Sequence, residues 1–335
     1  MKKTLIASAI AAATFSGAVA AQESNLPTVY GNIQYAITHT NVDGGGSAVD
    51  HFDNGTTLGV KHDHEIAPGI TGFLKMELEG INADDKAASS GIDKLDEAYI
   101  GVKGDSFGQV WVGSDDSMYE SAIDKIVNFH EVGTGIGGSY DTGEGDLIQY
   151  LTPSFGGLKL GAAVQVNGDG DANNGDDKSY PYQLAAMYSI DALELAVAMD
   201  SNDGNTAYSK NTASVNNENT YGVRATYAMG DLSLTGEYQT RKDVGDEYGV
   251  IGVYTMGANQ FSLSYQLVES DAPGVTNGDQ KDVVALQALH NVSDNMYVYF
   301  EGYLYGSDNN EFDLEDGAGA GDEQSIAAIG GVYYF

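Results

Sequence analysis

The sequence predicts an all-β protein, a transmembrane antiparallel up-and-down β-barrel of sixteen strands. Three observations carry that prediction. Segments of about nine to eleven residues, long enough to cross a bilayer at a tilt, alternate apolar and polar side chains. Short turns and long acidic loops alternate between those segments, as in a barrel with all its long loops at one end. The chain also stops inside the aromatic run AIGGVYYF, with Phe335 as its last residue, where most domains end in a polar tail.

The first element is a leader. Met1-Lys2-Lys3 is basic, Thr4 to Phe15 is apolar and too short to span a bilayer, and Ala18-Val19-Ala20 has the small-x-small pattern of a cleavage site. Residues 1–20 are therefore expected to be a signal peptide, and residues 21–335 a single barrel domain. Such a leader sends the chain out of a bacterial cytoplasm. The chain has no Cys, so no disulfide staples it, and pairing and packing must hold it together.

Composition narrows the class further. The 49 acidic residues against 15 basic ones give a net charge of −34, which repels nucleic acid. With 42% hydrophobic residues and 22 Tyr, the chain is too apolar for disorder and suits strands with one wet and one greasy side. The 44 glycines and 5 prolines fit many strands joined by tight turns.

The strands follow from period two. In FSLSYQL, Phe261, Leu263, Tyr265 and Leu267 share one face, and Ser262, Ser264 and Gln266 the other. YGVRATYAM, LSLTGEYQTR, LELAVAMD and LKLGAAVQ repeat the pattern. Sixteen such segments are expected, at 28–40, 56–66, 70–81, 94–103, 109–115, 147–153, 158–167, 179–190, 193–200, 219–229, 232–243, 247–256, 260–269, 282–292, 296–306 and 324–335. An even number places both ends on the periplasmic side, and sixteen is large enough to leave an aqueous channel. Long loops are expected at 41–54, 82–93, 116–146, 168–178, 201–218, 270–281 and 307–322, with a plain hairpin at Val244-Gly245-Asp246. No segment reads as a membrane helix, so the sheet must close in lipid, with its last strand on its first. Phe335, Tyr333, Gly331, Ile329 and Ala327 then share the outward face of the final strand, with Phe335 in the aromatic girdle.

Several stretches resemble one family. TVYGNIQYAI is similar to the first strand of the trimeric general porins of Gram-negative outer membranes. AYIGVKGDSFGQVWVGSDD resembles their fourth and fifth strands, and LIQYLTPSFGGLKLGAAVQV their sixth and seventh. The likeness covers nearly the whole mature chain. It implies a homotrimer in lipid and lipopolysaccharide, assembled by the barrel-assembly machinery, which would read Tyr333 and Phe335. It also implies a third loop folded into the pore. Residues 116–146 would be that loop, and SMYESAIDKIVNFHEVG has the spacing for a helical turn or two. The loop carries Asp116, Glu120, Asp124, Glu131, Asp141, Glu144 and Asp146 against Lys125 alone.

The facing wall departs from the family. General porins set arginines there, but the matching positions hold Thr57, Asp96 and Gln149, and the chain has only Arg224 and Arg241. By parity Lys61, Lys75, Lys159, Arg224 and Arg241 face the lumen, together with Glu77, Glu79, Glu194, Glu237 and Glu301. Acids prevail, and a narrow slot focuses their field. The sequence therefore predicts a general diffusion channel for small hydrophilic solutes and cations, with cation preference. A substrate-specific channel or a surface adhesin or receptor is the other reading.

Nothing else rises to a site. Asp169–Asp177 misses the EF-hand template at Asn174 and Tyr180, and lipopolysaccharide bridging through divalent ions is the looser option. His62 and His64 share a face but carry no metal reading, and no cofactor is expected. His130 beside Glu131 is the best candidate for hydrolytic chemistry, yet no serine sits in G-x-S-x-G, so no enzyme is expected. The assignment of faces has a direct test. The mature chain should stay folded and monodisperse in detergent and precipitate from plain buffer, and a folded species in plain buffer by size-exclusion chromatography would refute it.

Overall fold

The computed structural model describes residues 26–335 except 88, 90, 93, 134, 136–139, 141, 167–179, 204–217, 273, 275–276 and 315–318. The leader 1–20, the acidic run Asp169–Asp177 and the loop residue Asp141 lie outside the described residues. Among the described residues, seventeen strands form one antiparallel sheet. In chain order they are β1 (Thr28–Val42), β2 (Gly46–Asp53), β3 (Thr57–Ala67), β4 (Ile70–Glu79), β5 (Lys94–Gly104) and β6 (Gly108–Ser114). Then follow β7 (Leu147–Leu151), β8 (Leu158–Gln165), β9 (Tyr182–Ile190), β10 (Leu193–Asp200), β11 (Thr220–Met229) and β12 (Leu232–Arg241). The last are β13 (Gly245–Met256), β14 (Asn259–Ser270), β15 (Gln280–Ser293), β16 (Met296–Ser307) and β17 (Glu323–Tyr334).

The sheet closes on itself. β17 lies on β1 from Asn32↔Tyr334 to Val42↔Gln324, and Gly31 and Phe335 exchange both main-chain bonds at 3.2 and 3.1 Å. β2 and β3 both pair with β1, the first along Tyr35↔Asp53 to Val42↔Gly46 and the second along Thr28↔Lys61 to Asn32↔Thr57. They are two halves of one stave, so the barrel has the sixteen staves that the alternation predicts. The break at 54–56 is local chemistry. Asp53 Oδ1 accepts the N–H groups of Gly55 at 3.0 Å and Thr56 at 2.7 Å, and Gly55 takes a φ of 107° that few other residues tolerate.

That stave corrects one expectation. Residues 41–54 are not a long loop but the tip of an extended hairpin, closed by Gly45 N–H on the Val42 carbonyl at 3.0 Å. Three successive glycines and the polar run that follows read as loop. Pairing with β1 makes that run a strand, because the neighbour supplies the ladder that local propensity does not. The short outward hairpin is present two residues earlier than expected, with Lys242, Asp243 and Val244 joining β12 to β13 and Gly245 and Asp246 already in the strand. β4 and β5 shift register at Glu77/Leu78, which leaves Asp96 as the extra residue of a β-bulge.

The two faces invert the pattern of a soluble protein. Leu263 and Leu304 are 60% and 63% exposed, whereas Gln266 and Glu301 are 1% and 0% exposed. Apolar side chains cover the outside, where acyl chains replace water, and amides and carboxylates line the inside. His62 and His64 fall on the outer face of β3, with their rings 5.6 Å apart. At the seam the ring of Phe335 lies over Gly31. A Cβ there would stand 2.6 Å from the Thr57 carbonyl and 2.7 Å from the ring. Gly31→Val should therefore strain the closing pair and cost about 1–3 kcal/mol. Gly236, which has only one main-chain atom near such a Cβ, at 3.9 Å, should accept Val without that cost. The temperature at which the folded band converts on a heat-modifiability gel measures both, with the lower value expected for Gly31→Val.

Candidate functional site

The long connection from β6 to β7 packs against the polar face of the sheet. It begins with α1 (Met118–Ile123), a short helix capped by Ser117, whose Oγ accepts the Glu120 N–H at 3.2 Å. Met118, Tyr119, Ala122 and Ile123 are buried against Trp111, Ala163, Ala185, Ala196 and Ala198. Those alanines, at inward positions of β8, β9 and β10, form a shelf low enough to seat a helix. Gly161 and Gly222 extend it. A Cβ on Gly222 would lie 2.5 Å from the Tyr119 hydroxyl, and one on Gly161 would collide with Met118.

Polar bonds from the wall fix the rest. Gln183 Oε1 accepts the Tyr119 N–H at 2.9 Å, and Gln239 Oε1 accepts the Tyr119 hydroxyl at 2.9 Å. Gln239 Nε2 donates to Asp124 at 2.8 Å, and Arg224 Nε donates to the Ala122 carbonyl at 2.8 Å. Glu237 accepts the successive N–H groups of Lys125 and Ile126 at 2.8 and 3.3 Å. Glu301 does the same for Glu131 and Val132 at 2.7 and 2.9 Å, and also takes donors from Gln287 and Tyr303. Asn54 donates to the Glu131 carbonyl at 2.8 Å, and Tyr297 donates to its carboxylate at 2.9 Å. One connection reaches β9, β11, β12, β16 and the break between β2 and β3. In a closed sheet that span is reachable only from inside.

The acids divide into two sets. Asp124 and Glu131 are 3% and 5% exposed and are tied to the wall. Asp116, Glu120 and Glu144 gather at the root of the connection, with carboxylate oxygens within 4.8 Å of one another. The Asp115 N–H donates to the Glu144 carbonyl at 2.9 Å, and Trp111 Nε1 donates to Asp115 Oδ2 at 2.7 Å. Burial, and then the charges of Glu120, Glu97, Asp115 and Glu144, push the Asp116 carboxyl up to about 8. Burial, then Glu97, pushes Asp115 up to about 6. Asp146 is exposed and takes a left-handed φ of 55° where the chain enters β7. Burial lowers the pKa of Lys125, with Arg224 adding to the effect. His130 is also lowered by burial. It packs edge-on against Phe129 and Tyr303 with Nε2 3.2 Å from Ser262 Oγ, a packing role between loop and wall.

The remaining wall residues scatter along the inner face. Lys75 is ion-paired with Glu97 and stands 3.8 Å from Glu77, which is buried. Thr57 Oγ1 accepts from Asn32 at 2.9 Å, and Lys61 sits over the Tyr30 ring at 5.0 Å. Asp96 occupies the bulge. Gln149 Nε2 donates to the Asp116 carbonyl at 2.9 Å. Lys159 lines a recess of 600 Å³ with Lys103 and Asp105 near the short turns. Arg224 pairs with Glu194, and Arg241 is buried two positions beyond Gln239. Parity counts Glu237 and Glu301 among the lumen charges. The structure spends them on loop amides. Sequence reasoning also missed the shelf of alanines, whose only trace is small residues at inward positions of three strands in succession.

The sequence matches the family model described as Gram-negative porin over residues 7–311. A monosaccharide porin of a Halomonas species and the major outer membrane protein of Halomonas elongata are each 30% identical to it, over 96% of this chain and 99% of theirs. Among solved structures, an anion-selective porin from Comamonas acidovorans superposes with a TM-score of 0.73 at 19% identity, covering 92% of this chain and 99% of that one. At that identity the likeness is one of fold.

The wall carboxylates hold the connection in place by bonds that water would otherwise compete for. Glu301→Ala orphans the buried N–H groups of Glu131 and Val132, at a cost on the order of 1–3 kcal/mol for each. The loop should then be cut faster by an added protease while the barrel remains detergent-resistant, read by gel and mass spectrometry. Cleavage at the wild-type rate would show that these bonds do not hold it.

Proposed function

Because the chain belongs to the Gram-negative porin family, it is a passive diffusion channel of the outer membrane and not an enzyme, and we propose that its β6–β7 connection narrows that channel into a cation-preferring passage for small hydrophilic solutes. The observation that supports this reading is the group Asp116, Glu120 and Glu144, whose oxygens lie within 4.8 Å of one another. Carboxylates crowded into a low-dielectric slot focus their field along the path and favour cations. The facing wall does little to offset them. Lys75 is matched by Glu97 and Glu77, and Arg224 by Glu194. Thr57, Asp96 and Gln149 stand where general porins place arginines. The resemblance to those porins also supports a homotrimer in lipid and lipopolysaccharide, delivered by a signal peptide at 1–20 and assembled through the terminal Tyr333 and Phe335.

A second reading is a channel with preference for one solute class. The relative named as a monosaccharide porin favours it. Liposome swelling separates the two, because a specific channel gives saturable sugar flux and a general one gives linear flux.

Planar bilayers test the main reading. With chelator present and a salt gradient across the membrane, the reversal potential should carry the cation sign. It should shrink as salt rises, since screening acts within about 10 Å at 0.1 M. Closure in three equal steps is expected of a trimer. An anion sign under these conditions would overturn the cation preference.

A further inference from the structure

At the root of the β6–β7 connection, three carboxylates crowd together, and two amides bonded to Asp116 and Glu120 leave oxygens without a donor. Asp116, Glu120 and Glu144 bring oxygens within 4.8 Å of one another, from two separate stretches of the loop. Gln149, only 1% exposed on β7, donates Nε2 to the Asp116 carbonyl at 2.9 Å, and its Oε1 is buried without a hydrogen-bond partner. The amide is held in that sense, because the reverse would set its oxygen against the Asp116 carbonyl. Asn128 repeats the arrangement. Its Nδ2 donates to Glu120 Oε1 at 3.1 Å, and its Oδ1 is buried and unbonded. A buried amide oxygen without a donor costs free energy on its own, and a cation that takes oxygen ligands would satisfy it.

We propose that Asp116, Glu120 and Glu144, with the amide oxygen of Gln149 beside them, bind one hard divalent cation of the calcium kind, and that this ion reduces the cation preference of the channel. The chemistry selects the class. Carboxylate and amide oxygens, with no imidazole or thiolate among them, suit calcium or magnesium better than zinc or copper. The irregular arrangement, with places left for water, suits the flexible coordination of calcium rather than the strict octahedron of magnesium. Asn128 orients Glu120 from behind. The ion ties the start of the loop, at Asp116 and Glu120, to its return at Glu144, so it also fixes the loop root. Two positive charges set among these carboxylates offset most of the negative field that draws cations in. The effect on selectivity rests on the loop being the constriction. Binding itself does not.

The only tryptophan in the chain reports on this place, since Trp111 is bonded to Asp115, the neighbour of Asp116. Terbium(III), a calcium surrogate, added to the full mature chain refolded in detergent should give luminescence sensitised through Trp111, and calcium should displace it. The paired substitution Glu120→Gln with Glu144→Gln should weaken calcium displacement by roughly tenfold or more, with Gln149→Leu giving a smaller loss. Detergent-resistant folding of each variant is checked on the same gel, and if the paired variant does not fold, Gln149→Leu decides. In bilayers, millimolar calcium should move the wild-type reversal potential toward the anion side and leave the paired variant unmoved. Terbium binding and displacement unchanged in the variants, or no sensitised emission from the wild type, would overturn the site. Normal terbium binding with an anion sign in chelator would instead overturn the cation preference and leave the site standing.

Discussion

A main-chain N–H or C=O in hydrocarbon has no water to turn to, and that constraint governs this molecule. An open sheet would leave two rows of such groups in lipid, so β17 must lie on β1 and the seam must hold to its last residue. The exchange between Gly31 and Phe335 completes the ladder at the lip of the barrel, and the bare glycine leaves room for the terminal ring. Once the sheet is closed, its circumference is fixed by the number of staves, and an interior this wide is too large for wall side chains to fill. A channel is thus a consequence of closure at sixteen staves and needs no further device.

The inside then poses a second problem, of how to hold a long loop in water with so little apolar contact. Two solutions work together. α1 is greasy on the side that meets the Ala163, Ala185, Ala196 and Ala198 shelf, a small core built within the lumen. Farther along, Glu237 and Glu301 each accept two consecutive main-chain amides, which fixes both position and direction of the chain there. These acids contribute little to the field in the passage. Three other acids gather at the loop root, where burial first and then the neighbouring carboxylates raise Asp116. Total charge says little about where the acids act, because a carboxylate engaged with main-chain amides and one that is not count alike in the composition.

Much of this was legible from residues alone. Alternation in segments such as FSLSYQL gave strand, face and span, since a strand between lipid and water has two fixed environments and a period of two. The count of staves, the hairpin after β12 and the closing of β17 on β1 followed from it. Where the reading missed, a neighbour overrode local propensity. Gly46–Asp53 looks like loop, yet the ladder offered by β1 draws it into a strand, and the Asp53 turn breaks the stave at 54–56. The bulge at Asp96 left no mark in the alternation that could be told from an ordinary irregularity.

Local periodicity and the solvent that each face meets set the barrel, its lipid-facing side and its closure, and all three are written in the residues. Which acids grip the loop and which crowd at its root was settled by the folded chain. It also set alanines on three successive strands as a seat, and it bonded Gln149 and Asn128 to Asp116 and Glu120 with their amide oxygens left without donors. Those outcomes join residues far apart in the chain, such as Glu131 with Glu301, and no periodicity within one segment records a contact with another.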